Sequence, residues 1–221
     1  MVNIASIIDH TLLKPNATYK DFQLLCEQAV DKRFCSVCVP PFMVESCKQA
    51  LINSEVRVCT VIGFPLGYNS YISKLIEARQ AIKCGADEID AVINISALKS
   101  KDFEYVEREI ALLRKAALKK VLKIIVETAY LNEEEKEKIA KIVMNNGVDF
   151  LKTSTGFAPS GATVEDIKFF KKILKNNVRI KASGGISTYK QAEELIRAGA
   201  SRLGTSKSLQ LIDDEYELNN S

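Results

Sequence analysis

Three charged side chains interrupt apolar segments of the sequence, where charge is expensive. Asp90 lies in EIDAVIN, Lys152 in DFLKTS and Lys181 in RIKASG, and each segment has the short apolar pattern of a buried strand. Because an unpaired ion in a protein interior is unstable, these groups must pair with one another or change protonation. Asp9 and Lys123 also fall within strand-like segments and could join them. The alternative is a buried ion network that only fixes the register of the strands and has no catalytic role. One buried charge would fit this alternative better than three do.

Two lysines near one another suit covalent chemistry on a carbonyl group. A neutral amine attacks a carbonyl carbon, whereas a lysine with the reference pKa of about 10.4 is almost fully protonated at pH 7. A second ammonium ~6 Å away, at an effective dielectric of about 20, adds roughly 2.8 kcal/mol of repulsion and lowers the pKa by about two units. We therefore predict Lys152 as the nucleophile, Lys181 as the cation that lowers its pKa, and Asp90 as the proton shuttle. Spacing alone leaves open which lysine attacks.

Glycine-rich segments near the end of the sequence suggest a phosphate site. SGGIS at 183–187 and GTSKS at 204–208 each follow a strand-like segment. Backbone N–H groups and a short helix N-terminus frequently bind phosphate at these positions of a barrel fold. STG at 154–156 could form a third wall. The predicted phosphate-binding residues are Gly156, Gly184, Gly185, Gly204 and Ser206.

Eight strand-like segments alternate with helical patterns from one end of the chain to the other. The segments are IIDHTLL, FCSVCV, VRVCTVIGF, EIDAVIN, VLKIIVE, DFLKTS, RIKASG and SRLGTS. One of the helices between them is indicated by Val106, Ile110 and Leu113, which are spaced as one apolar face. This alternation predicts an α/β protein with one domain over 1–221, a (β/α)8 TIM barrel. A doubly wound open sheet is the alternative, but its strands would be almost continuously apolar.

The composition narrows the class of function. The 221 residues carry 31 basic and 28 acidic side chains spread along the chain, so we expect neither nucleic acid nor membrane as a partner. No apolar run approaches the roughly 18 residues of a spanning helix, and the first residues lack a signal-peptide pattern, so we expect a cytoplasmic protein.

The cysteines and the single histidine do not predict a metal site. Cys35 and Cys38 have the spacing of zinc ligands, but in a strand an odd separation sends two side chains to opposite faces. His10 is the only histidine and there is no second Cys or His pair, so we do not expect a zinc site, and we expect no Ser-His-Asp triad either. We expect buried free thiols, with no metal and no cofactor.

Four segments together resemble the deoxyribose-phosphate aldolase family. They are FLKTSTGF, KASGGI, DEIDAVINISALK and VIGFPLG, and they follow the family's order along essentially the whole chain. The resemblance implies a (β/α)8 barrel and a metal-free class I aldolase, which is a lyase. Such an enzyme reversibly cleaves 2-deoxy-D-ribose 5-phosphate to D-glyceraldehyde 3-phosphate and acetaldehyde in deoxyribonucleotide catabolism. The implied partners are a sugar phosphate, an aldehyde and further copies of the chain, in a dimer or larger homo-oligomer.

The same resemblance implies roles for individual residues. Lys152 of KTSTG matches the lysine that forms the Schiff base, while Lys181 of KASGG and Asp90 of DEID match the residues that relay protons. Residues similar to those that orient this relay are Asp9, Thr11 and Lys123. The segment GTSKS differs from the family's usual Gly-Thr-Ser-Ser-Gly, which places a lysine, Lys207, in the phosphate loop.

Two rival functions are compatible with the same charged residues. A phosphate-binding isomerase or synthase barrel could use Asp90 and a lysine as acid and base without a covalent intermediate. A sugar-phosphate sensor would keep the phosphate site and leave the lysines idle. Neither rival would be trapped on a lysine by a reducing agent.

Overall fold

The computed structural model describes residues 3–219, so the predicted domain 1–221 extends outside the described residues by two at each end. The strands are β1 Ile8–Thr11, β2 Ser36–Val39, β3 Arg57–Ile62, β4 Glu88–Val92, β5 Val121–Ile125, β6 Phe150–Lys152, β7 Arg179–Ser183 and β8 Arg202–Thr205. The α-helices are α1 Tyr19–Asp31, α2 Val44–Ala50, α3 Tyr71–Lys83, α4 Ile95–Lys99, α5 Phe103–Ala116, α6 Glu133–Asn145, α7 Val164–Leu174, α8 Tyr189–Ala198 and α9 Ser208–Asn219. Short 3-10 helices lie at Ile4–Ile7, Pro41–Met43 and Thr128–Tyr130.

The eight strands form one closed parallel sheet. Each strand pairs with the next along the chain, and β8 pairs with β1, with Gly204 opposite Asp9. The predicted (β/α)8 barrel is confirmed, and the doubly wound alternative is wrong because an open sheet would not pair its first strand with its last. In a barrel the loops after the strands meet at one end, where they can build a site.

The helices cover the sheet with the faces that their sequences predict. Val106, Ile110 and Leu113 of α5 are at most 2% exposed, as expected for one apolar face. The start of α6 is fixed by a capping box in which Asn132 and Glu135 satisfy each other's backbone N–H groups. These local signals place each helix against the outside of the barrel.

Two separate apolar clusters show how the strands divide their side chains. The large cluster, between the sheet and the helices, includes Ile89 and Ala91 of β4. The small one contains Cys38, Cys59 and Val61. Because alternate residues of a strand face opposite sides, Asp90 faces away from Ile89 and Ala91 and into the barrel. The barrel interior therefore holds charged groups beside only a small apolar cluster.

The cysteines are free thiols, as expected. Four of them are buried, and Cys35 and Cys84 are partly exposed. Among the helices of the described residues, none combines the length and the apolar character that crossing a membrane requires.

Candidate active site

The pairing of the strands sets the predicted charged residues at matching heights. In the β4–β5 pair, Asp90 lies opposite Lys123, and in the β6–β7 pair, Lys152 lies opposite Lys181. Glu88 is two residues before Asp90, so both side chains point to the same face of β4. The register therefore concentrates these groups inside the barrel.

The carboxylate of Asp90 joins three of the predicted lysines. Its Oδ2 accepts hydrogen bonds from Lys152 Nζ at 2.8 Å and from Lys181 Nζ at 2.7 Å. Its Oδ1 accepts from Lys123 Nζ at 2.8 Å and from Cys59 Sγ at 3.1 Å. The residues predicted as nucleophile, proton relay and orienting cation thus meet on one side chain.

A second layer of charges lies behind Asp90. Asp9 accepts a hydrogen bond from Lys181, one from Ser36 Oγ at 2.7 Å and one from Arg202 Nη1 at 2.7 Å. Arg202 also bonds to Glu88 Oε2 at 3.0 Å, and Lys123 Nζ lies 2.5 Å from the same oxygen. Every charged group in this layer has at least two partners, which is what a buried ion network needs to be stable.

Burial and pairing act in opposite directions on these groups. Burial alone would raise the pKa of Asp90, but Lys123, Lys152 and Lys181 outweigh it and hold that pKa well below its usual range. The same competition lowers the pKa of Asp9. Burial would lower the pKa of Lys181, but Asp9 and Asp90 raise it above its ordinary value, so this lysine is held as a cation.

Only one of the three lysines reaches the open end of the barrel. A cavity of about 390 Å³ is lined by Lys152, whereas Lys123 and Lys181 are fully buried and do not line it. Thr11 also lines this cavity, and its Oγ1 donates to Asp9 O at 2.8 Å. The predicted phosphate-binding residues Gly156, Gly184, Gly185, Gly204 and Ser206 all line the cavity as well.

Two glycine positions are required by close approaches. A Cβ at Gly161 would lie 2.0 Å from the carbonyl oxygen of Gly184, so the loop after β6 can rest on the loop after β7 only without a side chain there. A Cβ at Gly204 would lie 2.8 Å from Cε of Lys181. Glycine at this point leaves room for the lysine that reaches Asp90.

Glu127 supports the loop that follows Lys152. It has a left-handed backbone, with φ of 57°, and its buried carboxylate accepts hydrogen bonds from the Thr155 hydroxyl and from Thr155 N at 3.2 Å. Thr155 Oγ1 in turn accepts from Phe157 N at 3.1 Å. Burial raises the pKa of Glu127 although the Thr155 bonds oppose it. Glu127, with its left-handed backbone and buried carboxylate, therefore fixes the loop after β6, which forms one wall of the cavity.

Three buried charged residues of the site, Glu88, Arg202 and Glu127, were not predicted. Glu88 had a usable signal, because it stands two residues before Asp90 in the same strand. Arg202 is a charge near the start of SRLGTS, a strand-like segment in which only Gly204 and Ser206 were given a role, in phosphate binding. Glu127 is the last letter of VLKIIVE, and sequence alone does not reveal that the chain turns there to reach Thr155.

Among the residues that the structure describes, two groups of side chains come close enough to share a metal ion. Their ligand atoms lie within 4.8 Å of one another, and the groups are Cys38, Cys59 and Asp90, and Asp9, Cys59 and Glu88. Lys123 Nζ already contacts the carboxylates of both groups, at 2.8 Å from Asp90 Oδ1 and 2.5 Å from Glu88 Oε2. Because an ammonium ion would repel a metal cation at that place, we assign these carboxylates to the lysine network.

Comparison with known proteins places this arrangement in context. A model of the DeoC/LacD family of aldolases matches residues 4–206 of the chain. The deoxyribose-phosphate aldolase of Caldanaerobacter subterraneus subsp. tengcongensis is 48% identical over 217 residues, which cover 97% of this chain and 94% of that protein. The deoxyribose-phosphate aldolase of Clostridioides difficile is 47% identical over 215 residues, which cover 97% and 98% respectively.

Solved structures share the whole fold. An aldolase named QR15 is 39% identical, with a TM-score of 0.95 over 100% of this chain and 99% of that one. The deoxyribose phosphate aldolase of Aeropyrum pernix, described as having a unique tetrameric structure, is 30% identical, with a TM-score of 0.89 over 97% and 92%.

Proposed function

The chain belongs to the DeoC/LacD family of aldolases, and from this premise we propose that it cleaves 2-deoxy-D-ribose 5-phosphate through a Schiff base on Lys152. The resemblance predicted from the sequence is confirmed, and the protein is a lyase. Membership of an aldolase family counts against the isomerase and sensor alternatives.

The reaction uses Lys152 as an electron sink. Its neutral amine attacks C1 of the open-chain sugar, and loss of water from the adduct gives an iminium ion. Removal of the C3 hydroxyl proton then breaks the C2–C3 bond, whose electron pair moves to form an enamine. Glyceraldehyde 3-phosphate leaves, C2 of the enamine takes a proton, and water releases acetaldehyde from the lysine.

The observation that carries this proposal is that Lys152 alone among the three barrel lysines lines the cavity. Lys123 contacts the carboxylates of Asp9, Glu88 and Asp90, and Lys181 contacts those of Asp9 and Asp90. Lys152 forms its ion pair with Asp90 alone within residues 3–219. A lysine with one carboxylate partner beside the cavity suits the role of nucleophile.

Asp90 and Lys181 are proposed to move protons to and from the bound sugar. Asp90 Oδ2 lies 2.8 Å from the reacting nitrogen, and Lys181 shares that oxygen, so a proton can pass between them over hydrogen-bond distances. Asp9, Thr11 and Lys123 are proposed to orient this relay. The carboxylate of Asp9 accepts from Lys181, Lys123 donates to Asp90 Oδ1, and the Thr11 hydroxyl donates to the backbone carbonyl of Asp9.

The glycine loops are proposed to hold the phosphate. Gly156, Gly184, Gly185, Gly204 and Ser206 all line the cavity; Gly156, Gly185 and Ser206 are exposed, Gly184 is half-buried, and Gly204 is buried, as is Lys152. The exposed members lie apart from the buried Lys152. This separation would hold the phosphate at one end of the substrate and C1 at the other.

Reductive trapping tests the covalent step. We expect borohydride with 2-deoxyribose 5-phosphate or acetaldehyde to leave a mass adduct on Lys152, with an ethyl group from acetaldehyde, because reduction makes an iminium permanent. Lys152→Ala should lose the adduct, while Lys190→Ala, which changes an exposed lysine on α8, should keep it. An active, folded wild type without an adduct would exclude the Schiff base and return the proposal to acid and base chemistry.

The wider assignments follow from family membership. We propose a homo-oligomer, since a tetramer is described for the Aeropyrum pernix protein, and light scattering would measure its size. A role in deoxyribonucleotide catabolism and a cytoplasmic location stay predictions.

A further inference from the structure

The cavity has an unbalanced charge at its rim. Its lining includes three ionisable side chains, Lys14, Lys152 and Lys207, and no carboxylate. Lys152 is at the floor, bonded to Asp90. Lys14 and Lys207 line the same cavity but are exposed, and we call them the rim lysines.

These two rim lysines have no anionic partner within residues 3–219. Lys99, by contrast, lies 2.9 Å from Glu135. Neither Lys14 nor Lys207 lies within 4.0 Å of a carboxylate oxygen in that part of the chain. Both also line a neighbouring pocket that includes Asp21, which lies beyond ion-pair distance of either. Two ammonium groups in the lining of a cavity whose lining has no carboxylate favour an anionic ligand there.

The backbone at Lys207 is held in place by its neighbours. Thr205 Oγ1 donates to Ile186 O at 2.7 Å and accepts from Lys207 N at 2.9 Å, so the loops after β7 and β8 are tied together. Lys207 also directly precedes α9, where the helix dipole disfavours a positive charge. A lysine just before a helix, where the helix dipole disfavours a cation, is typical of a residue that has a binding role.

We propose that Lys14 and Lys207 bind the substrate phosphate and give the enzyme its preference for phosphorylated sugars. A phosphate monoester carries about −1.5 to −2 charges at pH 7, which two ammonium groups can match. The glycine loops supply directional N–H groups, and the two lysines supply the charge. This inference rests on the proposed aldolase function and adds to it the determinant of substrate choice.

Selectivity between two substrates tests the proposal. The quantity is the ratio of kcat/KM for 2-deoxyribose 5-phosphate to kcat/KM for 2-deoxyribose. We expect Lys14→Gln and Lys207→Gln each to lower this ratio about fivefold, the upper range for one partly exposed ion pair. The double variant should lower it further, and Lys207→Arg should retain most of it. Lys190→Gln is the control for loss of an exposed lysine, and its ratio should equal that of the wild type.

The outcomes separate this proposal from the function on which it rests. If both Gln variants keep the wild-type ratio, or lose activity equally on the two substrates, the rim lysines do not select phosphate. Borohydride trapping with acetaldehyde, run on the same samples, reports the Schiff base without a phosphate. If the variants form the adduct on Lys152 but keep the wild-type ratio of kcat/KM values, only the role of Lys14 and Lys207 is overturned. If the wild type forms no adduct, the aldolase mechanism itself is overturned.

Discussion

Asp90 is the residue on which the site depends, because one carboxylate holds three ammonium groups. The sequence identified it as a charge inside a strand, and the same reasoning found Lys152 and Lys181. The sequence could not show how deep in the barrel each lysine lies. Lys123 and Lys181 are completely buried, whereas Lys152 lines the cavity. Side-chain reach in a tapered barrel depends on neighbours such as Gly204, and no periodicity encodes it.

Replacing Asp90 by Asn should damage activity and stability together. We expect Asp90→Asn to lower kcat/KM by about 10²–10⁴, the usual contribution of a general acid or base. The change also leaves buried cations short of a counter-charge, at a cost of about 3–5 kcal/mol in the free energy of unfolding. Steady-state kinetics and urea unfolding measure the two effects.

A conservative comparison separates these effects for Asp90. Ser36→Ala removes a hydrogen bond to Asp9 and leaves every charge in place, so it should lower stability by about 1 kcal/mol with little change in kcat. A fall in kcat for Ser36→Ala as large as that for Asp90→Asn would show that activity follows packing of the network rather than proton transfer.

The loops at the ends of the strands were the elements least accessible to prediction. All eight strands were found, but the segments IIDHTLL and DFLKTS continue past the strands, which end at Thr11 and Lys152. The extra residues line the cavity or support it, and their apolar character does not separate a strand from a buried loop. The helices were easier, because an apolar face repeats over several turns.

Contact between the loops after β6 and β7 predicts the effect of one methyl group. Gly161→Ala should raise KM for the phosphorylated substrate several-fold and lower the free energy of unfolding by about 1–3 kcal/mol, because the new Cβ meets the carbonyl of Gly184. Steady-state kinetics and chemical denaturation give the two numbers.

Gly147→Ala is the matched control for Gly161→Ala. Gly147 has a φ of 62° with open space around it, so alanine there should cost roughly 1 kcal/mol through the backbone alone and leave KM unchanged. If the two alanine variants show equal KM, the loop contact does not shape the phosphate pocket.

The charge network makes the stability of the whole molecule depend on pH. The folded-state pKa of Asp9 and of Asp90 is below the unfolded value of about 3.9, so their stabilisation is present above that pH and is lost as the pH falls. Lys123 and Lys181 have raised pKa values, so their contribution is present below about pH 10.4 and is lost at higher pH.

Unfolding at low pH measures this dependence. Between about pH 2 and 3.5, each carboxyl should add a slope of up to roughly 1.4 kcal/mol per pH unit to the free energy of unfolding. Burial raises the pKa of Glu109 and Glu127, and those groups are protonated in both states throughout this window. Asp9→Asn should therefore show a shallower slope than the wild type in urea titrations. Parallel slopes would mean that Asp9 is not ionised in the folded protein.

Closure of the barrel through β1 and β8 also brings the first and the last described elements together. Helix α9 packs against β1 and against the 3-10 helix at Ile4–Ile7, while the cavity is built from loops at the carboxyl ends of the strands. The turn between α5 and β5, near Lys119, lies at the opposite end of the barrel. A circular permutant that begins at that turn and links α9 to the 3-10 helix at Ile4–Ile7 would keep every strand neighbour and every cavity residue. The ring of strands, and not the place where the chain starts, holds Lys152 against Asp90.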